Sequence, residues 1–259
     1  MKKTPGIIKT FWAVSLLAAA GCQSLASKEI KLDHQPYEPI INAQVLTIQP
    51  ISINGALTSE KVLHKAIAHY KPYVAGEIKI LDCDYIDLDL GENNAVSGPQ
   101  LDKIVNAKDF GPTRITIVFC PDIDFFSKKG FYQFARQEDN PKLTWHLIFI
   151  NTRTCNKAAC SIPFISSESL TSLVLLHELC HALNVPARKN HMMQNNERHC
   201  ANTNCILYPK IDLQSVLSGI LRLGPPTQLC KMCREEVFAV QKNFNNSQSK
   251  VQHGNNPHH

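Results

Sequence analysis

The sequence predicts an α+β domain, in which one helix and three or four strands precede a buried helix carrying two histidines, with a small cysteine-rich helical part at the C-terminal end. Three observations predict it. Apolar residues recur at helical spacing over Glu60–Tyr70 and over Glu168–Leu183. Short runs rich in β-branched residues lie between them, at Glu77–Leu81, Tyr85–Leu90, Arg114–Phe119 and Leu143–Ile150. Beyond the second helix, Cys200, Cys205, Cys230 and Cys233 fall in two short-spaced pairs, a pattern that metal chemistry uses.

The length of 259 residues favours one domain with appendages. The net charge of +5 is spread along the chain, and no basic run is interleaved with aromatics, so nucleic acid is not an expected partner. Lys2, Lys3 and Lys9 form a positive n-region, and Phe11–Ala20 is an apolar run too short to span a bilayer comfortably. The segment ends Ala19-Ala20-Gly21-Cys22, which resembles a bacterial lipobox, although Ala19 stands where leucine is usual. That resemblance implies a signal peptide over 1–21 and a lipidated Cys22. With Gln23 next, it also implies an exported lipoprotein sorted to the outer membrane and facing the periplasm. Several acyl chains on one cysteine give a stable membrane anchor. The alternative is an ordinary secretory peptide with Cys22 as a spare thiol. Residues 22–43 are polar without period and read as a tether, 44–242 as the domain, and 243–259 as a disordered tail.

Within the domain, Thr58 or Ser59 caps the first helix and Pro72 stops it. In Tyr85–Leu90, Ile86, Leu88 and Leu90 point inward and Asp87 and Asp89 outward, as a solvated face or, alternatively, a cation site. Gly91–Gly98 is a turn-rich break. His146, on the Leu143–Ile150 strand, reads as a core or edge histidine, since no ligand partner stands at a recognisable spacing. Cys155 and Cys160 flank four residues and most simply form a local disulfide, while Cys83 and Cys120 each end a strand and could pair. Ser166 and Ser167 are caps for the second helix, with Glu168 favourably placed in its first turn. Asp212 caps a further helix to about Leu223, which Gly224-Pro225-Pro226 ends.

The organising stretch is His177-Glu178-Leu179-Cys180-His181. Histidines four apart lie one turn apart on one helix face, so both imidazoles can reach one metal ion. Glu178 beside the first ligand suits a general base toward an activated water, the arrangement of zinc peptidases. Cys180 reads as a small buried hydrophobe. The stretch resembles the metal helices of the metzincin class, in which a glycine in a sharp left-handed turn stands three residues after the second histidine and a third histidine three further on. Here those positions hold Asn184, which tolerates that turn, and Ala187, and Pro186 forbids further helix. The third ligand must come from the following loop, which offers His191 and His199.

His199-Cys200, four residues, then Cys205-Ile206-Leu207 resembles the archaemetzincin pattern of His-Cys, four residues, Cys-x-Met, and Cys230-Lys231-Met232-Cys233 matches the CxxC that family carries downstream. The resemblance covers about Leu170 to Val237. It implies a metzincin-like fold, with a mixed, mostly parallel sheet packed on helices. It also implies a catalytic Zn2+ on His177, His181 and His199, Glu178 as base, and a structural zinc on the four cysteines. The chain departs from the family at Asn184 for glycine, at Leu207 for methionine, and in a longer loop Val185–Arg198, which keeps His191 as a rival third ligand. Disulfides Cys200–Cys205 and Cys230–Cys233 are the rival to the second zinc. The expected function is a zinc metallopeptidase of the cell envelope acting on peptide or protein substrates. The alternatives are a catalytically silent zinc-binding lipoprotein and a thiol-redox protein using Cys230 and Cys233.

Overall fold

The computed structural model describes residues 35–91, 95–106, 111–123, 130–137, 140–161, 165–194, 196–209 and 226–254. The signal segment with Cys22, the helix expected from Asp212 and the last five residues lie outside them. No helix among the described residues is long and apolar enough to cross a membrane.

The core is a sheet of six strands in the order β2-β1-β4-β6-β5, with β3 also paired to β1. The strands are β1 (Val45–Ile53), β2 (Glu77–Ile80), β3 (Asp84–Ile86), β4 (Arg114–Cys120), β5 (Gly130–Gln137) and β6 (Asn140–Asn151). All pairs are parallel except β5 with β6. The sheet is therefore mixed and mostly parallel, and its antiparallel strand β5 stands at one edge.

Both faces are covered. Leu46, Ile48, Ile115, Ile117, Phe119, Ile148 and Ile150 belong to the main core, with helices α2 (Glu60–Tyr70) and α5 (Ser167–His181). Ile51, Ile53, Val118, Cys120, Leu147 and Phe149 face a smaller core under α3 (Gly98–Asn106), where Leu101 and Ile104 pack. Parallel strands buried on two sides read as continuous apolar runs, as β4 and β6 do.

The helices start where side chains can satisfy free N–H groups. Ser59 accepts from the Lys61 N–H, Ser166 from Ser169, and Asn151 from Thr154 at the head of α4 (Thr152–Cys160). Helix α2 lies on α5, where the Ser172 hydroxyl donates to the Val62 carbonyl at 3.0 Å.

Four expectations need correction. The tether does not reach 43: a one-turn helix α1 (Glu38–Ile41) forms there, with Ile40 and Ile41 fully buried. The last helix, α6 (Lys231–Gly254), runs through residues 243–254 of the expected tail. Cys155 and Cys160 are free thiols on α4, one buried and one exposed. Five residues along a helix turn side chains well away from one another, so no bridge closes. Cys83 and Cys120 are also free, because Cys83 packs on the main core and Cys120 on the core across the sheet.

The acidic pair takes the solvated reading, with Asp87 and Asp89 exposed while Ile86, Leu88 and Leu90 pack inward. Strand β3 stops at Ile86 because the Asn54 side chain, on a residue with φ of 48°, bonds both the N–H and the carbonyl of Leu88.

His146 is a core histidine, 1% exposed, with its ring 4.9 Å from that of Tyr37. Burial pushes its pKa from the ordinary 6.5 down to about 3. The unfolded chain binds a proton here from pH 6.5 downward that the folded chain refuses. Stability is therefore full above pH 6.5 and falls as pH drops towards 3, by a few kcal/mol in order of magnitude. Urea midpoints across pH 4–7 check it, with a shallower acid slope expected for His146→Leu.

Candidate metal centre

Helix α5 is buried along nearly its whole length, from Leu170 to His181. Leucines and valine on every side wedge it between the sheet, α2 and α4, and it holds its last turn rigidly against the core. Beyond its end at His181 the chain turns at Asn184, whose φ of 53° is the left-handed turn expected there. The Asn184 side-chain amide ties this turn to the carbonyl of Gln35.

His177 and His181 emerge together at this end, with their Nε2 atoms 3.1 Å apart. His199 arrives from β8 (Asn196–Cys200), which pairs antiparallel with β7 (Met192–Met193). Its ring centroid lies 5.3 Å from that of His177 and 4.9 Å from that of His181. One ring nitrogen from each histidine falls within 4.8 Å of the other two. Zn–N bonds of about 2.0–2.1 Å in a tetrahedral site place nitrogens about 3.3 Å apart, which the His177–His181 spacing matches.

The ring orientation also fits a cation. Nδ1–H of His177 donates to the Ile206 carbonyl at 2.6 Å, which leaves the Nε2 lone pair facing the other two rings. Burial pushes the His177 pKa down to about 4, against the smaller opposite pull of that carbonyl. Burial, then the neighbouring His177, His199 and Arg198, hold His181 well below its ordinary value. Neutral imidazoles with available lone pairs are what a metal requires.

Glu178 is 2% exposed and points to the start of the edge strand β5. A Cβ on Gly130 would stand 2.8 Å from Val174 Cγ1 and 3.2 Å from Glu178 Cγ. Only glycine lets β5 pass this close to the helix.

The second cluster lies directly behind the first. Cys200, Cys205, Cys230 and Cys233 are all buried, with sulfurs within 4.8 Å of one another. Cys200 and Cys230 sulfurs are 3.7 Å apart and those of Cys205 and Cys233 3.9 Å. A disulfide needs about 2.05 Å, whereas Zn–S bonds of about 2.3 Å in a tetrahedron place sulfurs about 3.8 Å apart. All four are free thiols, so the Cys200–Cys205 and Cys230–Cys233 bridges do not form. Backbone N–H groups of Asn202 and Cys230 aim at Cys200 and Cys205 sulfurs. Hydrogen bonds with Cys200 and Cys233 pull the Cys205 pKa down to about 4, while those with Cys200 and Cys205 push that of Cys233 up.

The two clusters share backbone. His199 and Cys200 are consecutive, and the carbonyl that orients His177 belongs to Ile206, next to Cys205. That stretch is clamped by Cys200 N–H on the Leu207 carbonyl and Ile206 N–H on the Gln228 carbonyl. Leu207 is fully buried in the main core.

His191 is not with the other histidines. Its Nε2 lies 3.4 Å from Cys233 Sγ, which removes it as a rival third member of the histidine cluster. Cys180 is a fully buried thiol whose pKa burial raises. Sequence reading missed three participants: the Ile206 carbonyl, which carries no side-chain signal; Gly130, on a strand that was not read; and Glu236, a buried acid three residues after the CxxC.

No protein-family model matches the sequence, and no curated protein matches it. Among the solved structures that resemble it at a distance are the following two. One is a zinc-dependent peptidase from Methanocorpusculum labreanum, 14% identical, with 73% of this chain and 99% of that one covered at a TM-score of 0.42. The other is archaemetzincin from Archaeoglobus fulgidus complexed with malonate, 13% identical, covering 74% and 99% at a TM-score of 0.38. Scores this low place the chain in no family.

Proposed function

We propose that this chain is a zinc-dependent peptidase, with His177, His181 and His199 holding the catalytic ion and Glu178 as general base. The four cysteines hold a second, structural zinc. The observation that carries the reading is the set of three buried imidazoles, their ring nitrogens turned together, beside a buried glutamate at an edge strand. A zinc ion there supplies Lewis-acid polarisation of a carbonyl and acidifies water. Glu178 accepts the proton of the attacking water and returns it to the leaving amine. The Ile206 carbonyl keeps His177 in one tautomer throughout.

Strand β5 suits an extended peptide, because it pairs only with β6 among the described strands and begins against Glu178. Main-chain pairing along this edge would present a peptide bond to the base with little demand on sequence. The lipid anchor at Cys22 in a bacterial envelope belongs to the same proposal and rests on residues 1–22.

A silent scaffold has no need of a buried carboxylate between two imidazole ligands, which costs free energy to desolvate. The thiol-redox reading needs an isolated pair, whereas Cys230 and Cys233 sit among two further thiols. Exhaustive chelation should bring cleavage of an unfolded protein substrate to background, and added zinc should restore it. Cleavage that survives metal removal would sink the proposal.

A further inference from the structure

We infer that His191, held by Glu236, is a positioning residue for the four-cysteine site: it donates an N–H···S hydrogen bond to the Cys233 thiolate and ties the long loop to that metal. The inference rests on the reading that the four cysteines bind zinc.

The geometry starts from Glu236. Its carboxylate is 4% exposed, one turn along α6 from Cys233. The Ala187 N–H donates to Oε2 at 2.8 Å and the Arg188 N–H to Oε1 at 3.0 Å. The Arg188 guanidinium lies 3.9 Å from Oε1, and His191 Nε2 3.7 Å from the same oxygen. One buried acid thus gathers the start of the loop that follows α5. A buried carboxylate is tolerated only with donors of this kind around it.

His191 is 5% exposed, and its backbone has a further anchor, since its carbonyl accepts the Ala201 N–H at 2.8 Å, immediately after Cys200. Its Nε2 faces two groups, Cys233 Sγ at 3.4 Å and Glu236 Oε1 at 3.7 Å. A metal-bound thiolate and a carboxylate are both acceptors without hydrogen, so Nε2 must carry the hydrogen between them. On its other side, Nδ1 lies 3.3 Å from the Asn190 side-chain amide, which can turn either way to suit. Donors to a metal-bound sulfur withdraw charge from it and hold its direction, and removing such a partner typically weakens metal binding about 10–100-fold. The loop residue would then serve the structural metal instead of the catalytic one.

The test uses the full chain with both sites loaded with cobalt(II) alone. Thiolate-to-cobalt charge-transfer absorption reports the four-cysteine site, and the rate of cobalt loss to a chelator reports its strength. In His191→Phe the charge-transfer band should move to lower energy, because the sulfur has lost a donor, and cobalt should leave about 10–100 times faster. His191→Gln, which keeps an N–H donor, should restore much of both. A parent without any thiolate-to-cobalt band would refute the metal reading itself. A parent band that neither His191→Phe nor His191→Gln displaces would overturn the hydrogen bond while leaving that reading intact. Should His191→Phe fail to fold, His191→Ala, which also lacks the donor, decides in its place. A parent-like band and release rate in that variant would overturn the inference.

Discussion

Glu178→Gln is expected to abolish peptidase activity while both zinc ions stay bound. The substitution keeps the side chain's shape in a position only 2% exposed, so packing against Gly130 is unchanged. An amide cannot take a proton from water at neutral pH, so the step that Glu178 is assigned loses its base. Loss of a positioned general base typically costs 10²–10⁴-fold, and a fall in kcat of about 10³ is expected with KM little altered. Metal content should be that of the parent, because the three imidazoles alone form the cluster. A Gln variant that still cleaves at the parent rate would remove Glu178 from the chemistry.

Cys205→Ser is expected to cost both metals. Cys205 is fully buried among the other three sulfurs, and serine is a poor zinc ligand. Structural zinc sites contribute folding free energy directly, at a level of about 10 kcal/mol or more in small domains. Here the loss should reach several kcal/mol, enough to lower Tm by roughly ten degrees or more. The second consequence is specific to this architecture. The residue after Cys205 supplies the carbonyl that orients His177, and the residue before Cys200 is His199. Two of the three histidines are therefore set by the cysteine loop. Zinc at the histidine site should weaken even though no histidine has changed, and the variant should be inactive. Calorimetry and metal analysis of the parent and the variant check both statements. A folded Cys205→Ser protein that keeps catalytic zinc at parent affinity would show that the two clusters are independent.

What was legible in the sequence was the chemistry. Histidines at a fixed helical spacing, His199 next to Cys200, and two short-spaced cysteine pairs identify the residues that the fold brings together, because ligand spacing is set by covalent geometry. The helices α2 and α5 were legible too, with the caps at Ser59 and Ser166.

The central strand was not. In β1, Leu46 and Ile48 face one core and Ile51 and Ile53 the other, so apolar residues change faces across Gln49-Pro50 although the backbone register does not slip. Pattern reading sees a broken alternation with a proline in it. Gln49, 6% exposed, is satisfied by the Asp82 carbonyl and the Arg114 guanidinium, partners far away in sequence. Strand β5 was missed as well, and with it the glycine that the Glu178 side chain needs as a neighbour. The choice between His191 and His199 was equally hidden. Both lie in one loop, and only the β7–β8 pairing and the pull of Glu236 send them to different clusters.

The most direct test of the histidine centre is metal content by mass spectrometry, on protein purified without chelators, for the parent, His199→Ala and His191→Ala. The terminal histidines should be removed first, since they can pick up metal by themselves. Two zinc ions per chain are expected in the parent and one in His199→Ala, with two retained in His191→Ala under mild conditions. Loss of the histidine-site ion from His191→Ala, with His199→Ala unchanged, would contradict the arrangement of His177, His181 and His199 around one metal.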